Sequence, residues 1–444
     1  ASAIAVGGIA MILFGEYIAF IMVELETDAV ANSGHLTVYK RGYFDFGSGN
    51  PAGYSIAKYR DVIRLIETDP ALKDKLNVVT PTVALFGIAG NFSVDTSKPF
   101  FGTGFVPSDR ARMRRWNEYN ALRSPVEDQG VSDADETRGV VGIGLARVLG
   151  LCKPLKIADC PPPPQAAAAP DKGTLAAGIA DLANDERAGV PAEKEEDAPR
   201  IDLLGATSGG APNVVSFYVS KAVNMGYKEL DDAYIGMNIK LAQQLLYGRG
   251  EHKAVAIQVQ LRRTEDMAFV RNELNARFKA RRLDLEIHDF GELTPQYKQI
   301  VGYMSAIFAF IAVIMAVIVL FTVVNTMSMS VMERVNEIGT ARAMGVRRSG
   351  IRRQFLAEGS MLGAIGASLG VILATALAVW FNHAGITYMA PGQAHPVPLL
   401  LQTSGVNAFL FAVWLGLTLI ASLASIIPAD RAARMQVVDA LRHV

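Results

Sequence analysis

The chain has 444 residues, of which 50% are hydrophobic and 19% are charged, and its formal net charge is zero. Such a length allows two or three domains, and this composition favours a membrane protein. A neutral chain gives no electrostatic reason to expect nucleic acid or an acidic polymer as a partner.

The first apolar run, Ala1–Val23, predicts a transmembrane helix over residues 1–24. A signal segment is the alternative, although no small-residue cleavage pattern follows the run. Since the sequence lacks an initiator methionine, we expect further residues before Ala1. Glu16 interrupts the run, and an intramembrane carboxylate is costly and therefore a candidate functional residue. Alternatively, Glu16 lies near the interface or pairs with a polar group of a neighbouring helix.

Residues 25–298 predict a domain of mixed α and β structure. GHLTVYKRGYF (34–44), VVSFYVSKA (214–222), HKAVAIQVQL (252–261) and LDLEIHDF (283–290) alternate as strands do. Between the last two lies a helix with Thr264 as its expected N-cap. One apolar stripe marks its buried face: Met267, Val270, Leu274 and Phe278.

A Pro/Ala-rich segment, residues 161–200, interrupts this domain with PPPP, an alanine tract and the charged run AEKEED. Its composition predicts a mobile excursion whose role the sequence does not assign. Just before it, Cys152 and Cys160 predict a disulfide, with free thiols as the alternative. A metal site is disfavoured because no further ligand-type cysteine or histidine lies nearby.

Long stretches without charge predict three more membrane helices at 299–331, 356–382 and 406–428. The uncharged part of the second, residues 299–332, would span about 50 Å at 1.5 Å per residue. A bilayer core is only about 30 Å thick, so we expect a stalk that projects beyond the membrane, or else a tilted or kinked helix.

The loops set the orientation of these helices. Segments 332–353 and 429–444 are rich in arginine, which predicts that they are cytoplasmic. The domain at 25–298 and the loop at 383–405 are then extracytoplasmic. His383 and His395 in that loop lie too far from other ligand-type residues to indicate a metal site.

The third helix contains four glycines with the spacing of a close helix–helix contact: Gly359, Gly363, Gly366 and Gly370. Their partner is either another helix of this chain or a helix of a second chain. Asn325 in the second helix is predicted to form a polar contact with a neighbouring helix.

The segment ERVNEIGTARAMG, Glu333–Gly345, is a short amphipathic helix followed by basic residues. Taken alone, it is compatible with a protein contact, a solvated helix or a lipid-bound polybasic segment. It resembles the coupling helix of the permeases grouped around MacB, FtsX and the lipoprotein-releasing LolC and LolE. The C-terminal IIPADRAARMQVVDALRHV, from Ile426, resembles the end of the same family. SGHLTVYKRGYFDFGSGNP (33–51) is similar to the lipoprotein-releasing type in particular.

The resemblance implies a MacB/FtsX-type permease fold in the bacterial inner membrane, with its large domain in the periplasm. It also implies a second permease chain, the same or homologous, and a cytoplasmic ATPase dimer that holds ATP and magnesium. This chain would need no cofactor, and it contains no GxxxxGK[ST] phosphate loop. The ATPase contact would be made by Glu333, Arg334, Glu337, Ile338, Gly339, Arg342, Ala343, Met344 and Gly345. Among these, Ile338, Ala343 and Met344 are the expected apolar anchors.

Three functions follow from the resemblance. The first is mechanical extraction or export of a lipoprotein, lipid or other hydrophobic envelope molecule to an acceptor. The second is MacB-like drug or peptide efflux with a periplasmic adaptor. The third is FtsX-like control of a cell-wall hydrolase, which the large outer domain disfavours. No constellation of nucleophile, metal ligand or cofactor motif supports a membrane-anchored enzyme.

Overall fold

The computed structural model describes residues 2–47, 49–119, 129–157, 160, 198–226, 228–388, 397–403 and 405–435. They form two compact units: a helical unit built from residues up to Leu25 and from Gln296 onward, and a β-rich domain over Glu26–Pro295. The predicted segment 161–200 lies outside the described residues except for its last three. Arg200 already belongs to a strand, so the prediction is wrong at that end.

The described helices are α1 (Ser2–Ser33), α2 (Tyr59–Glu67), α3 (Pro107–Arg114), α4 (Ile143–Val148), α5 (Lys228–Asp231), α6 (Ile239–Tyr247), α7 (Met267–Ala280), α8 (Phe290–Leu293), α9 (Pro295–Glu333), α10 (Val335–Ala343), α11 (Arg348–Ala384), α12 (Asn407–Ala424) and α13 (Ile426–Arg434). The described strands are β1 (Leu36–Lys40), β2 (Leu76–Asn91), β3 (Thr96–Phe105), β4 (Arg138–Gly142), β5 (Arg200–Ala206), β6 (Pro212–Val223), β7 (Tyr234–Asn238), β8 (Ala256–Leu261), β9 (Leu285–Asp289), β10 (Thr387–Tyr388) and β11 (Val397–Pro398).

Four described helices are long and apolar enough to cross a membrane, which confirms the predicted four-helix membrane protein with a β-rich domain after the first helix. Three of them extend beyond their predicted limits, and α9 does so by four residues at its start and two at its end. The first continues to Ser33, past residue 24, and α11 begins at Arg348 rather than at residue 356. The extensions of α1 and α11 are polar, and straight-chain residues such as arginine are good helix formers, so hydrophobicity alone underestimates these helices.

The first half of the β-rich domain is a four-stranded antiparallel sheet in the order β2-β8-β1-β9. In chain order its elements run β1-α2-β2-β8-α7-β9, which is the ferredoxin-like split β-α-β arrangement. The helix α7 buries Val270, Leu274 and Phe278 against this sheet, as the apolar stripe predicts.

The second half is inserted between β2 and β8 and closes on itself. The last part of β2 pairs with both β3 and β5, so the ring β2-β3-β7-β4-β6-β5 has no free edge. Its interior is filled by large apolar side chains such as Leu85, Phe217 and Ile235. Cys152 and Cys160 are joined by a disulfide beside this ring, with Cα atoms 6.1 Å apart.

The helical unit packs through small residues. A Cβ added to Gly363 would lie 2.7 Å from the Cβ of Ala421, and one added to Gly359 would overlap Ser425. Further along α11, a Cβ on Gly370 would lie 3.1 Å from the carbonyl oxygen of Ala5. These glycines therefore bring α11 close to α12 and α1 of the same chain, and Gly366 is buried with them.

Candidate functional site

The helix α10 lies between two membrane helices with sharp changes of direction at both ends. Only Arg334 separates it from α9. At its other end the amide of Gly345 donates to the carbonyl of Arg342 and the amide of Val346 donates to that of Ala341, both at 3.1 Å. This is a Schellman motif, and Gly345 takes the φ of +95° that the motif reserves for glycine.

One face of α10 is part of the core of the helical unit. Val335, Ile338 and Gly339 are buried, and Arg342 is half-buried one turn later. The spacing i, i+3, i+4, i+7 is that of a single helix face. Ile338 is only 5% exposed and belongs to the apolar cluster that includes Ala432 of α13.

The prediction that Ile338 is an anchor for a partner protein is therefore wrong, because the side chain already packs within its own chain. Arg342 also forms a hydrogen bond within its own chain, since its Nη1 donates to the carbonyl oxygen of Ala433 at 2.8 Å. A guanidinium bond to a carbonyl at the end of α13 fixes α10 to that helix. The sequence identifies both residues, but it does not show which residues they contact.

The opposite face of α10 is open. Glu333, Glu337, Ala343 and Met344 are exposed, with Met344 at 77%, and Gly345 follows them. In the part of the chain that the structure describes, neither glutamate has a hydrogen bond or ion pair. This exposed face, Glu333, Glu337, Ala343, Met344 and Gly345, is called the coupling surface below.

Two ion pairs hold the elements around the coupling surface together. Arg334 binds Glu358 of α11 at 3.1 Å, and Arg352 of α11 binds Asp430 of α13 at 3.1 Å. Both pairs are partly exposed, so each adds little stability and mainly fixes register. We call this region, Glu333–Glu358 with Ile426–Arg434, the arginine-rich end.

The match to a known protein family falls on this same region. Residues 309–437 match the family described as FtsX-like permease C-terminal, which takes in α10, α11, α12 and α13 and most of α9. This match and the relatives described next support an ABC transporter permease of the MacB/FtsX superfamily. The described coupling surface therefore lies inside the permease domain.

Relatives of this permease include proteins named macrolide export ATP-binding/permease protein MacB. The one from Shewanella sp. ANA-3 is 39% identical over 138 residues, which are 31% of this chain and 19% of the relative. The one from Neisseria gonorrhoeae is 29% identical over 196 residues, 43% of this chain and 28% of the relative. The chain thus matches between 19% and 28% of the length of these curated relatives. The likeness to the lipoprotein-releasing type stays a prediction.

Glu16 lies on α1 of the permease and is fully buried. Neither of its carboxylate oxygens has a hydrogen-bond partner among the described residues, while its backbone carbonyl accepts from the amide of Gln402 at 3.1 Å. The role of Glu16 and its depth in the membrane stay predictions. Tyr17, the next residue of α1, has its hydroxyl 3.0 Å from that of Tyr388 in β10.

A polar network in the β-rich domain was not evident from the sequence. The imidazole of His35 is buried and accepts from the amide of Leu261 at its Nδ1, 3.0 Å away, while its Nε2 lies 3.2 Å from the hydroxyl of Thr264. That hydroxyl donates to Glu26 at 2.9 Å. Burial lowers the pKa of His35 from 6.5 to about 4, so the ring is neutral at physiological pH.

Thr264 is consequently not the N-cap of the following helix. It opens a short 3-10 turn, and the side chain of Asp266 before α7 caps nothing either. The hydroxyl is used by Glu26 and His35 instead, contacts between residues far apart in the sequence. Among the described residues there is no group of three potential metal ligands.

Proposed function

We propose that this chain is the permease subunit through which a cytoplasmic ABC ATPase dimer drives motion of the β-rich domain. ATP and magnesium would be held by the ATPase, and this chain would contribute no nucleotide site. A second permease chain, identical or homologous, would complete the assembly. Its work would be the extraction or export of a lipoprotein, lipid or other hydrophobic envelope molecule.

The observation that carries the proposal is the division of α10 into two faces. Its inner face is fixed by Ile338 and by the bond from Arg342 to Ala433. Its outer face offers, around the exposed Met344, two carboxylates that no described residue pairs. A partner that pushes on the outer face would move the helices packed on the inner face, since no flexible linker intervenes. An apolar side chain surrounded by polar ones is the usual form of an interface hot spot.

The proposed location is the inner membrane, with the arginine-rich end in the cytoplasm and the β-rich domain in the periplasm. The positive-inside rule favours that orientation. The disulfide between Cys152 and Cys160 agrees with it, because disulfides persist in oxidising compartments.

A second candidate is MacB-like efflux of a drug or peptide together with a periplasmic adaptor. The names of the relatives, which refer to macrolide export, favour it over FtsX-like control of a cell-wall hydrolase. Both candidates share the coupling step at α10, and the experiment below tests that step. The transported molecule has to be identified by separate substrate assays.

We expect Met344→Asp to weaken binding of the ATPase by roughly 2 kcal/mol, about thirty-fold, because a charge would replace the exposed apolar anchor. Glu337→Ala should lower binding only a few-fold, as rim charges do. The measurements are complex formation and permease-dependent ATP turnover of the full chain in lipid.

The controls separate contact from folding. Glu229→Ala removes an exposed glutamate from the β-rich domain and should leave turnover unchanged. Ile338→Asp should instead lower the melting temperature of the permease, because it places a charge in the core. Normal assembly and turnover with Met344→Asp would disprove the proposed contact.

A further inference from the structure

A groove formed by α9 and by Arg431 of the arginine-rich end shares no lining residue with the coupling surface. Its volume is about 620 Å³, within the range of ligand-binding clefts. Its lining comprises Phe321, Thr322, Val324, Asn325, Ser328 and Arg431. All but the arginine belong to α9, and Arg431 lies across the groove on α13.

The helix α9 is the least packed of the four membrane helices. Only 11% of its most apolar stretch is buried, compared with 50% for α1. Phe321 on the groove wall is 68% exposed. Because the chain spans a membrane, a groove on such a helix opens to lipid rather than to the helix core.

The groove contains a polar side chain without a partner. Asn325 is exposed, and its amide makes no hydrogen bond to any residue that the structure describes. The neighbouring Thr322 differs, since its hydroxyl donates to the carbonyl of Ile318 at 2.7 Å. An amide facing lipid is costly unless something accepts its hydrogen bonds.

The groove also contains a cation without a counter-ion. Arg431 has no carboxylate partner within the described ranges. Asp430, the acidic residue next to Arg431 in the sequence, is bound by Arg352 at 3.1 Å. Glu358 is likewise bound by Arg334.

The excess of positive charge extends beyond the groove. The arginine-rich end contains eight arginines and only four acidic residues. The arginines are Arg334, Arg342, Arg347, Arg348, Arg352, Arg353, Arg431 and Arg434, and the acidic residues are Glu333, Glu337, Glu358 and Asp430. The uncompensated charge favours an anionic occupant.

We propose that this groove binds an anionic phospholipid of the surrounding leaflet. The phosphate accepts from Arg431, and the glycerol and ester oxygens accept from Asn325 and Ser328. An acyl chain then follows Val324 and Phe321 towards the middle of the membrane. Ser328 and Phe321 are separated by about 10 Å along the helix axis, which divides a polar end of the groove from an apolar end.

A second copy of the chain is the competing occupant. A two-fold contact through this face would bring a second copy of the same arginine-rich patch towards the first, because an isologous interface uses the same surface on both subunits. Like charges do not satisfy the groove, whereas a phosphate does. The proposal does not depend on the proposed function, since it concerns lipid binding and not ATP coupling.

The test uses the full chain in nanodiscs of equal parts phosphatidylglycerol and phosphatidylcholine. Lipids retained after release are counted by native mass spectrometry for the wild type, Arg431→Gln and Asn325→Leu. We expect Arg431→Gln to reduce retained phosphatidylglycerol about five-fold, the factor for one basic side chain near an anionic surface. Asn325→Leu should reduce it as well, through a side chain that carries no charge.

Arg434→Gln is the matched control, because it removes an exposed arginine of the same helix that does not line the groove. Its retention should equal that of the wild type. Equal losses from Arg431→Gln and Arg434→Gln would overturn the site in favour of a diffuse charge effect. Unchanged retention in both groove variants would overturn it outright.

Two further results would also contradict the proposal. If soluble glycerol phosphate at millimolar concentration displaced the lipid, the groove would recognise a free phosphate. If Arg431→Gln changed the oligomeric state while lipid retention stayed constant, a second copy would occupy the groove.

Discussion

The cores of the helical unit and of the β-rich domain are built from side chains of different size. In the helical unit the buried cluster contains many alanines: Ala367, Ala374, Ala421, Ala424, Ala429, Ala432 and Ala433. In the ferredoxin-like half of the β-rich domain the corresponding cluster contains one alanine, Ala254, and otherwise larger apolar residues.

The difference follows from the solvent of each unit. In water, burying a large apolar side chain is favourable in itself, so the β-rich domain gains stability from volume. In a bilayer the lipid chains are as apolar as leucine, and helices associate by close approach of their backbones. We therefore expect enlargement to damage the helical unit and truncation to damage the β-rich domain.

The largest effect should come from Gly363→Leu. Its Cβ would lie 2.7 Å from that of Ala421, and the backbone of Thr418 leaves no room on the other side, at 3.3 Å. We expect a loss of more than about 4 kcal/mol and failure to obtain folded protein. Gly416→Leu makes the same change in α12 with nothing within 4 Å of the new Cβ, and it should fold normally. Similar yields of both would show that small residues do not define this core.

Truncation tests the expectation that the β-rich domain depends on large buried side chains. Phe217→Ala in β6 empties a fully buried position and should lower the free energy of unfolding by about 3–5 kcal/mol. Phe310→Ala in α9 truncates a phenylalanine that is 67% exposed, and it should change the stability by less than about 0.5 kcal/mol. Chemical denaturation in detergent measures both. An equal cost at the two sites would contradict the comparison.

A smaller effect concerns the polar interior of the β-rich domain. Since the pKa of His35 is about 4 in the fold and 6.5 in the unfolded chain, the unfolded state binds more protons between these values. Stability should therefore be complete above pH 6.5 and fall towards pH 4, by at most about 1.4 kcal/mol per pH unit. Thermal unfolding against pH should show this slope.

His35→Gln should flatten the slope, whatever its effect on stability at neutral pH. His252→Gln removes an exposed histidine of the same domain and should leave the slope unchanged. A slope that persists without His35 would assign the pH dependence to other groups.

Local pattern was enough to predict much of the fold. The four membrane helices follow from uncharged stretches, and β6, β8 and β9 follow from alternation, because each signal lies within one element. The closure of β2 on β3 and β5 could not be predicted, since β5 comes more than a hundred residues later and nothing in either strand specifies the pairing.

The candidate site was predictable in position but not in orientation. The motif at Glu333–Gly345 locates α10, yet the assignment of Ile338 to a partner failed. The spacing of Val335, Ile338, Gly339 and Arg342 indicates one helix face, and it does not say whether that face meets the same chain or another. The bond from Arg342 to Ala433 depends on a tertiary contact that the sequence does not encode locally.

The long strand β2 sets the order in which the parts of the β-rich domain can fold during synthesis. Its first half needs β8 as a neighbour, and residues 92–255 must be synthesised between the two strands. At about 5–20 residues per second, the ribosome takes roughly ten to thirty seconds over that interval. The inserted ring can close first, because all its strands precede β8, so the chain completes the later part of β2 before the earlier part finds its partner.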